Sequence, residues 1–234
     1  MQEENKIEFS TNRDVTAIYH YDEGYKWLLL ARNGSVIDPL VYCAFEFRLA
    51  LERVAFELLA QIRGSNFDTS DLNSSNKIKN IQNRIYHLEG NQLRLDRKLL
   101  FLRILIEQAG YKNFPIAAIK LSLLKKHWEF CSRYCHLQLN LNHTWGDTAF
   151  VERCVDGLKK IEIFLKQILD NLILWPQWTD DHWINDLLNK FVESDFDDTN
   201  LKTELAKRGV WGKMIGPDGK TVFLSDLYKK HSSG

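Results

Sequence analysis

Residues 38–64 read DPLVYCAFEFRLALERVAFELLAQIRG. Asp38-Pro39 opens a helix. The aspartate can accept from free N–H groups of the first turn, and proline at the first helical position gives up a donor that has no partner there. Gly64 supplies the stop. Between them the spacing predicts a helix to Ile62 or Arg63 whose apolar positions cover most of its circumference. A helix apolar nearly all round is enclosed by others, so this one is expected at the centre, with further helices around it.

Working outward, Asp14 to Arg32 carries Ile18, Tyr21, Tyr25, Leu28 and Leu29 at near-helical spacing and stops at Asn33-Gly34. A hairpin reading of Val15 to Tyr21 competes. Residues 65–75 (SNFDTSDLNSS) read as a linker and the best candidate for a mobile loop. A polar helix, about Asn76 to Glu89, breaks at Gly90-Asn91. The next runs from Gln92 to Ala109, with Leu95, Leu99, Leu102 and Ile106 as its stripe and Gly110 as its stop. Pro115 opens a helix from Ile116 to about Leu139, in which Leu121, Leu124, Trp128, Cys131 and Cys135 form a 3-4-3-4 seam. After the uncharged loop 140–146, Asp147 caps a long helix to about Leu174, with Val151, Val155, Leu158, Ile161, Leu165, Ile168 and Leu172 inward. Pro176 ends it. Thr179 caps a short helix with Trp183, Leu187, Leu188 and Phe191, and Asp198 or Thr199 caps another over about Asn200 to Arg208. Two β-prone runs around Gly216-Pro217-Asp218-Gly219 predict a hairpin, which must lean on helices because two strands alone are marginal. The expected fold is all-α: a bundle of long antiparallel helices over residues 1–175, with 176–234 a smaller element of short helices and a hairpin packed on it.

Composition agrees. Glycine and proline together number 16 in 234 residues, and aromatics number 28. That excludes a turn-rich β-sandwich, collagen and a disordered tail protein. The best candidate for a membrane span, Ile161 to Trp175, is interrupted by Glu162, Lys166 and Asp170, so no membrane association is expected. The residues after Met1 read as no signal peptide. None of Cys43, Cys131, Cys135 and Cys154 belongs to a CxxC, and all lie in apolar helical contexts. They read as reduced core thiols of a cytoplasmic protein. Net charge is zero, but its distribution is uneven: residues 71–136 carry +7 and 147–200 carry −7. Helices docking through complementary fields explain this; a basic face for RNA or another anion is the functional alternative.

No P-loop, GxGxxG, HExxH or GxSxG occurs, which removes the standard nucleotide cradles and hydrolase signatures. The densest constellation is KKHWEFCSRYCH, residues 125–136. His127, Cys131 and Cys135 fall at i, i+4, i+8, with Cys43 or Cys154 as a further ligand for a metal. The apolar seam through Leu124 and Trp128 assigns both thiols to the core instead, so neither metal nor cofactor is expected. Near the helix end, Ser132, Arg133 and His136 group a hydroxyl, a permanent cation and an imidazole favoured in its charged form by the helix dipole. Such a group can hold a phosphate or act as an acid–base pair. Arg133 and His136 are the candidate catalytic residues; Ser132, Lys125, Lys126 and His143 are the candidate binding residues.

At two of these stretches the chain resembles the HEPN superfamily of helical bundles. FEFRLALERVAFELL, residues 45–59, is similar to an early HEPN helix with an Arg and a Glu (Arg48, Glu52) on an apolar frame. LSLLKKHWEFCSRYCH, residues 121–136, is similar to a later helix ending in Ser-x-x-x-His. Active members carry Arg, four to six residues, then His, at a dimer interface and cut RNA without metal. This chain departs from that pattern: Arg133 to His136 and Arg84 to His87 leave two residues between, and Arg13 to His20, with six between, lies in the wrong part of the bundle. The resemblance then implies a non-enzymatic, dimeric binding or scaffold module, of the kind found beside bacterial defence or toxin partners. The alternative is a metal-independent endoribonuclease with a degenerate motif at Arg133 and His136. The partners expected are a second copy of the chain and a protein or RNA.

Overall fold

A computed structural model describes residues 16–33, 38–68, 71, 77–135, 148–176, 182–194, 196–208, 213–215 and 221–223. The helices described are α1 (Ala17–Asn33), α2 (Asp38–Arg63), α3 (Ile78–Glu89), α4 (Gln92–Gln108), α5 (Leu121–Cys135), α6 (Thr148–Leu169), α7 (His182–Glu193) and α8 (Asp198–Arg208). The fold is an all-α bundle, and α2 is its centre. Ten of its side chains are buried, from Leu40 to Leu59, and it packs against α1, α3, α5 and α6. No described helix is long and apolar enough to cross a membrane.

Residues 17–21 are helical, so the hairpin alternative over Val15 to Tyr21 is overturned there. Thr16 Oγ1 accepts the Tyr19 N–H at 3.2 Å, and the Glu57 carboxylate of α2 accepts the Ala17 N–H. Two of the four orphan donors of α1 are thus satisfied, one of them by a neighbouring helix. Farther along, Gly24 lets α1 approach α2: a Cβ there would stand 2.4 Å from Phe47 Cδ1. His20, buried, meets Glu46 of α2 at 2.6 Å.

The segment read as a mobile linker is pinned where it is described. α2 passes through Gly64, at φ 51°, into a 3-10 turn, Gly64–Asn66. Asp71 is wholly buried. Its carboxylate takes Arg63 Nε at 2.7 Å and Arg84 Nε at 2.9 Å, one from each flanking helix, and also accepts the Asp68 N–H at 3.2 Å. Polar composition does not distinguish this anchor from a solvated loop, because its two arginine partners come from outside the segment.

Gly90, at φ 91°, ends α3, and the Asn91 side chain accepts the Arg94 N–H at 3.0 Å to start α4. α4 has two apolar faces rather than one. Leu95, Leu99, Leu102 and Ile106 join the main core, while Phe101, Ile104 and Leu105 join a second core built with Ile184, Leu187, Leu188 and Phe191 of α7 and Leu201 and Leu205 of α8. The Arg97 guanidinium lies 4.8 Å over the Phe191 ring and donates to the carbonyls of Phe191, Ser194 and Phe196, satisfying acceptors at the end of α7.

Two expected boundaries move. The helix predicted from Ile116 begins at Leu121, and the one predicted to Leu174 ends at Leu169. The segments released pair with each other: the Ala117 N–H donates to the Leu172 carbonyl and the Leu172 N–H to the Pro115 carbonyl, both at 2.8 Å. Gln92 of α4 completes the arrangement. Its Oε1 accepts the Leu121 N–H at 3.0 Å and its Nε2 donates to the Ile119 carbonyl at 3.1 Å. The cap of α8 is Asp197, whose side chain accepts the Asn200 N–H at 2.8 Å, in place of Asp198 or Thr199. Lys213–Ile215 pairs antiparallel with Thr221–Phe223; the Gly-Pro-Asp-Gly turn between them, and Asp147 and Thr179, lie outside the described residues.

Candidate functional site

Residues 45–59 of α2 and 121–135 of α5 pack side by side. Trp128 Nε1 donates to Glu52 Oε1 at 2.6 Å, Arg48 Nε donates to the same oxygen at 3.1 Å, and the Arg48 guanidinium lies 4.9 Å over the Trp128 ring. Arg48 also bonds Cys135. This half-buried cluster satisfies its own polar groups and fixes the rotation of α5 against α2.

That rotation turns Leu121, Leu124 and Cys131 into the core and leaves Lys126, His127, Phe130 and Arg133 towards α6. α5 and α6 run antiparallel: the His127 ring lies tilted against Phe164 (4.8 Å between centroids), Phe130 faces Gly157, and Tyr134 bonds Cys154. Between them lies a groove of about 430 Å³, lined by Lys126, His127, Phe130, Arg133, Arg153, Asp156, Gly157 and Lys160. Gly157 shapes it, because a Cβ at that position would stand 2.0 Å from Phe130 Cζ.

Four cations and one carboxylate border the groove. Neighbouring Lys125 and Lys159 are paired, with Glu129 at 2.9 Å and Asp156 at 3.3 Å. Lys126, Arg133 and Lys160 are within ion-pair distance of no described carboxylate. Burial, and secondarily the charge of Lys126, hold the His127 imidazole below its ordinary value, so it is neutral at pH 7. Burial and the Cys154 contact push the Tyr134 phenol up to about 12. A concavity of about 320 Å³ elsewhere, lined by Arg103, Glu107, Asn113, Phe114, Pro115, Ile116 and Asn171, is less suited to an anion, since Arg103 already donates to the Ile116 carbonyl at 2.9 Å.

Of the residues singled out in the sequence, Arg133 and Lys126 meet in the groove. Lys125 does not line it. Ser132 lies off it, with Oγ buried and without a hydrogen-bond partner. His136 and His143 lie outside the described residues. The His127, Cys131 and Cys135 set diverges: the first lines the groove, the second is core, and the third sits beside Arg48. Among the described residues no group of three or more His, Cys, Asp or Glu side chains could hold a metal ion. All four cysteines are free, and burial raises each thiol above its ordinary value, which keeps it protonated.

Sequence reasoning missed Phe130, Arg153, Gly157 and Lys160. A signal was present: Lys126/Arg133 and Arg153/Lys160 are both i, i+7 pairs, two turns apart on one face of adjacent helices. Comparison with family models, with curated proteins and with solved structures found no match to this chain.

Proposed function

We propose that this chain is a non-enzymatic, HEPN-like helical binding module that holds single-stranded RNA by its backbone in the α5–α6 groove. The observation that carries the reading is the placement of Lys126, Arg133, Arg153 and Lys160 around Phe130. Antiparallel packing puts Arg133 beside Arg153 at one end and Lys126 beside Lys160 at the other. The two ends are about 10 Å apart, seven residues of helix rise. Cations at both ends of the groove can follow the phosphates of an extended single strand, and an aromatic ring between them offers a base a stacking surface. The neutral His127 imidazole lines the same groove.

The endoribonuclease alternative draws support from one feature, the presence of Arg133 in the groove. A single assay separates the two. Labelled single-stranded RNA is titrated with the protein in EDTA, followed by anisotropy, and then run on a denaturing gel. The binding-module reading expects a Kd of roughly 1–100 µM at physiological salt, intact RNA, and a loss of at least tenfold in affinity for Phe130→Ala. EDTA-resistant cleavage would favour the nuclease, and no binding would end both readings.

A further inference from the structure

We infer that the base held against Phe130 in the α5–α6 groove is guanine, read along its Watson–Crick edge by Asp156; this rests on the RNA-binding reading above. Asp156 is the one carboxylate among the described residues that line the groove, where it stands with Lys126, Arg133, Arg153 and Lys160. In a site that met phosphate alone it would be out of place, since a fixed negative charge repels the strand that the cations attract. Its part in the fold is slight. The side chain is 67% exposed, and Oδ1 takes Lys159 at 3.3 Å, three residues on along the same helix. Exposed pairs of that kind add little to stability. The two oxygens of a carboxylate offer about four acceptor positions, so one long contact to a lysine leaves room for a base.

The placement suits a base edge. Asp156 immediately precedes Gly157, and Gly157 is where the tip of the Phe130 ring meets α6: a Cβ there would stand 2.0 Å from Phe130 Cζ. Tyr134 braces the ring from α5, 4.7 Å away between centroids and tilted by 53°. A base lying on the ring therefore turns one edge towards Asp156. Unstacked bases are held in this way, on an aromatic side chain and by hydrogen bonds along an edge. A carboxylate accepts and does not donate, so it selects the edge that offers it donors alone. Guanine presents N1–H and N2–H side by side, one for each oxygen. Adenine sets its N6–H beside the lone pair of N1, and cytosine its N4–H beside the lone pair of N3, so the second oxygen meets an acceptor. Uracil offers N3–H between two carbonyl oxygens.

The test is anisotropy in EDTA with the full chain and a short oligouridine whose central base is replaced in turn by guanine, inosine, adenine and cytosine. The guanine strand is expected to bind about tenfold more tightly than the uridine strand. Adenine and cytosine should differ little from uridine, and inosine, which lacks the 2-amino group, should fall between uridine and guanine. Asp156→Ala is expected to make the guanine and uridine strands bind alike, and to hold the uridine strand more tightly than the wild type does, because a repelling charge is gone. A structural role for Asp156 would instead weaken both strands together. Equal affinity for all strands, a preference for adenine or cytosine, or a guanine preference that survives Asp156→Ala would overturn the inference and leave the RNA-binding reading standing. No binding of any strand would overturn both.

Discussion

Replacing Gly157 by alanine should destabilise the protein, although the same change at an open helical glycine stabilises. Alanine is favoured over glycine in a helix interior by about 1 kcal/mol. Against this stands a methyl group 2.0 Å from Phe130 Cζ and 2.7 and 2.8 Å from its neighbouring ring carbons. Carbon atoms at ease stand about 3.5–4.0 Å apart, so the ring must move by roughly 1.5 Å or change rotamer. Forced repacking of that kind costs about 1–3 kcal/mol, leaving a net loss of ~1 kcal/mol. Phe130 is only half-buried, so it can turn outward, and the groove is where it would go. Gly24→Ala offers an internal comparison. There the obstructing ring is Phe47, fully buried and 2.4 Å away, with nowhere to turn, so its loss should be larger, ~2 kcal/mol. Urea unfolding followed by circular dichroism reads both, and RNA titration of Gly157→Ala should show weakened binding. If Gly157→Ala instead gains ~1 kcal/mol, α5 and α6 do not approach as described and the groove loses its floor.

Two further outcomes are expected. Asp71→Ala leaves Arg63 and Arg84 facing a vacated site; breaking a buried pair costs about 3–5 kcal/mol. Because these arginines are 19% and 28% exposed, a loss of ~2–4 kcal/mol is expected; a urea midpoint unmoved by the change would contradict the anchor. For His127 the sign follows from its lowered value in the fold. The unfolded chain takes up a proton near pH 6.5 while the folded one resists it. The stability it contributes is therefore complete above about pH 6.5 and is lost as pH falls below. Melting temperatures from pH 8 to 5 should fall more steeply for the wild type than for His127→Gln; parallel curves would count against a desolvated imidazole.

What was legible in the sequence is what local chemistry decides. The Asp38-Pro39 start, the positive-φ glycine at 90 and the Asn91 cap depend on residues within one turn of each other, and α2 can be read as central from its own circumference. Residues 116–120 and 170–174 were misread as helix because the alternative that wins is a pair of backbone hydrogen bonds between segments more than fifty residues apart. The second face of α4 was visible in Phe101, Ile104 and Leu105, but a single-stripe reading of a continuous apolar run passes over it. Asp71 was hidden for a related reason, since its burial depends on two arginines outside the linker. The groove was half legible. Lys126 and Arg133 stand in the basic stretch, whereas Arg153 and Lys160 belong to a segment whose net charge is −7. Summing charge along the chain conceals a cationic surface that two helices assemble across it. Complementary docking also occurs in part: Arg94 of α4 meets Glu193 of α7 at 2.7 Å.

The salt dependence of RNA binding tests the groove most directly, because it counts the cations that meet phosphate. For a single strand the slope of log K against log salt is about −0.7 per phosphate neutralised. Lys126, Arg133 and Lys160, the groove cations with no described carboxylate in ion-pair distance, then predict a slope of about −2.1, or roughly a twentyfold loss of affinity between 50 and 200 mM salt. Arg133→Ala/Lys160→Ala should reduce the slope to about −0.7, while Lys125→Ala/Lys159→Ala, removing cations already paired beside the groove, should leave it unchanged. A flat salt dependence in the wild type, or equal effects of the two double variants, would contradict the account.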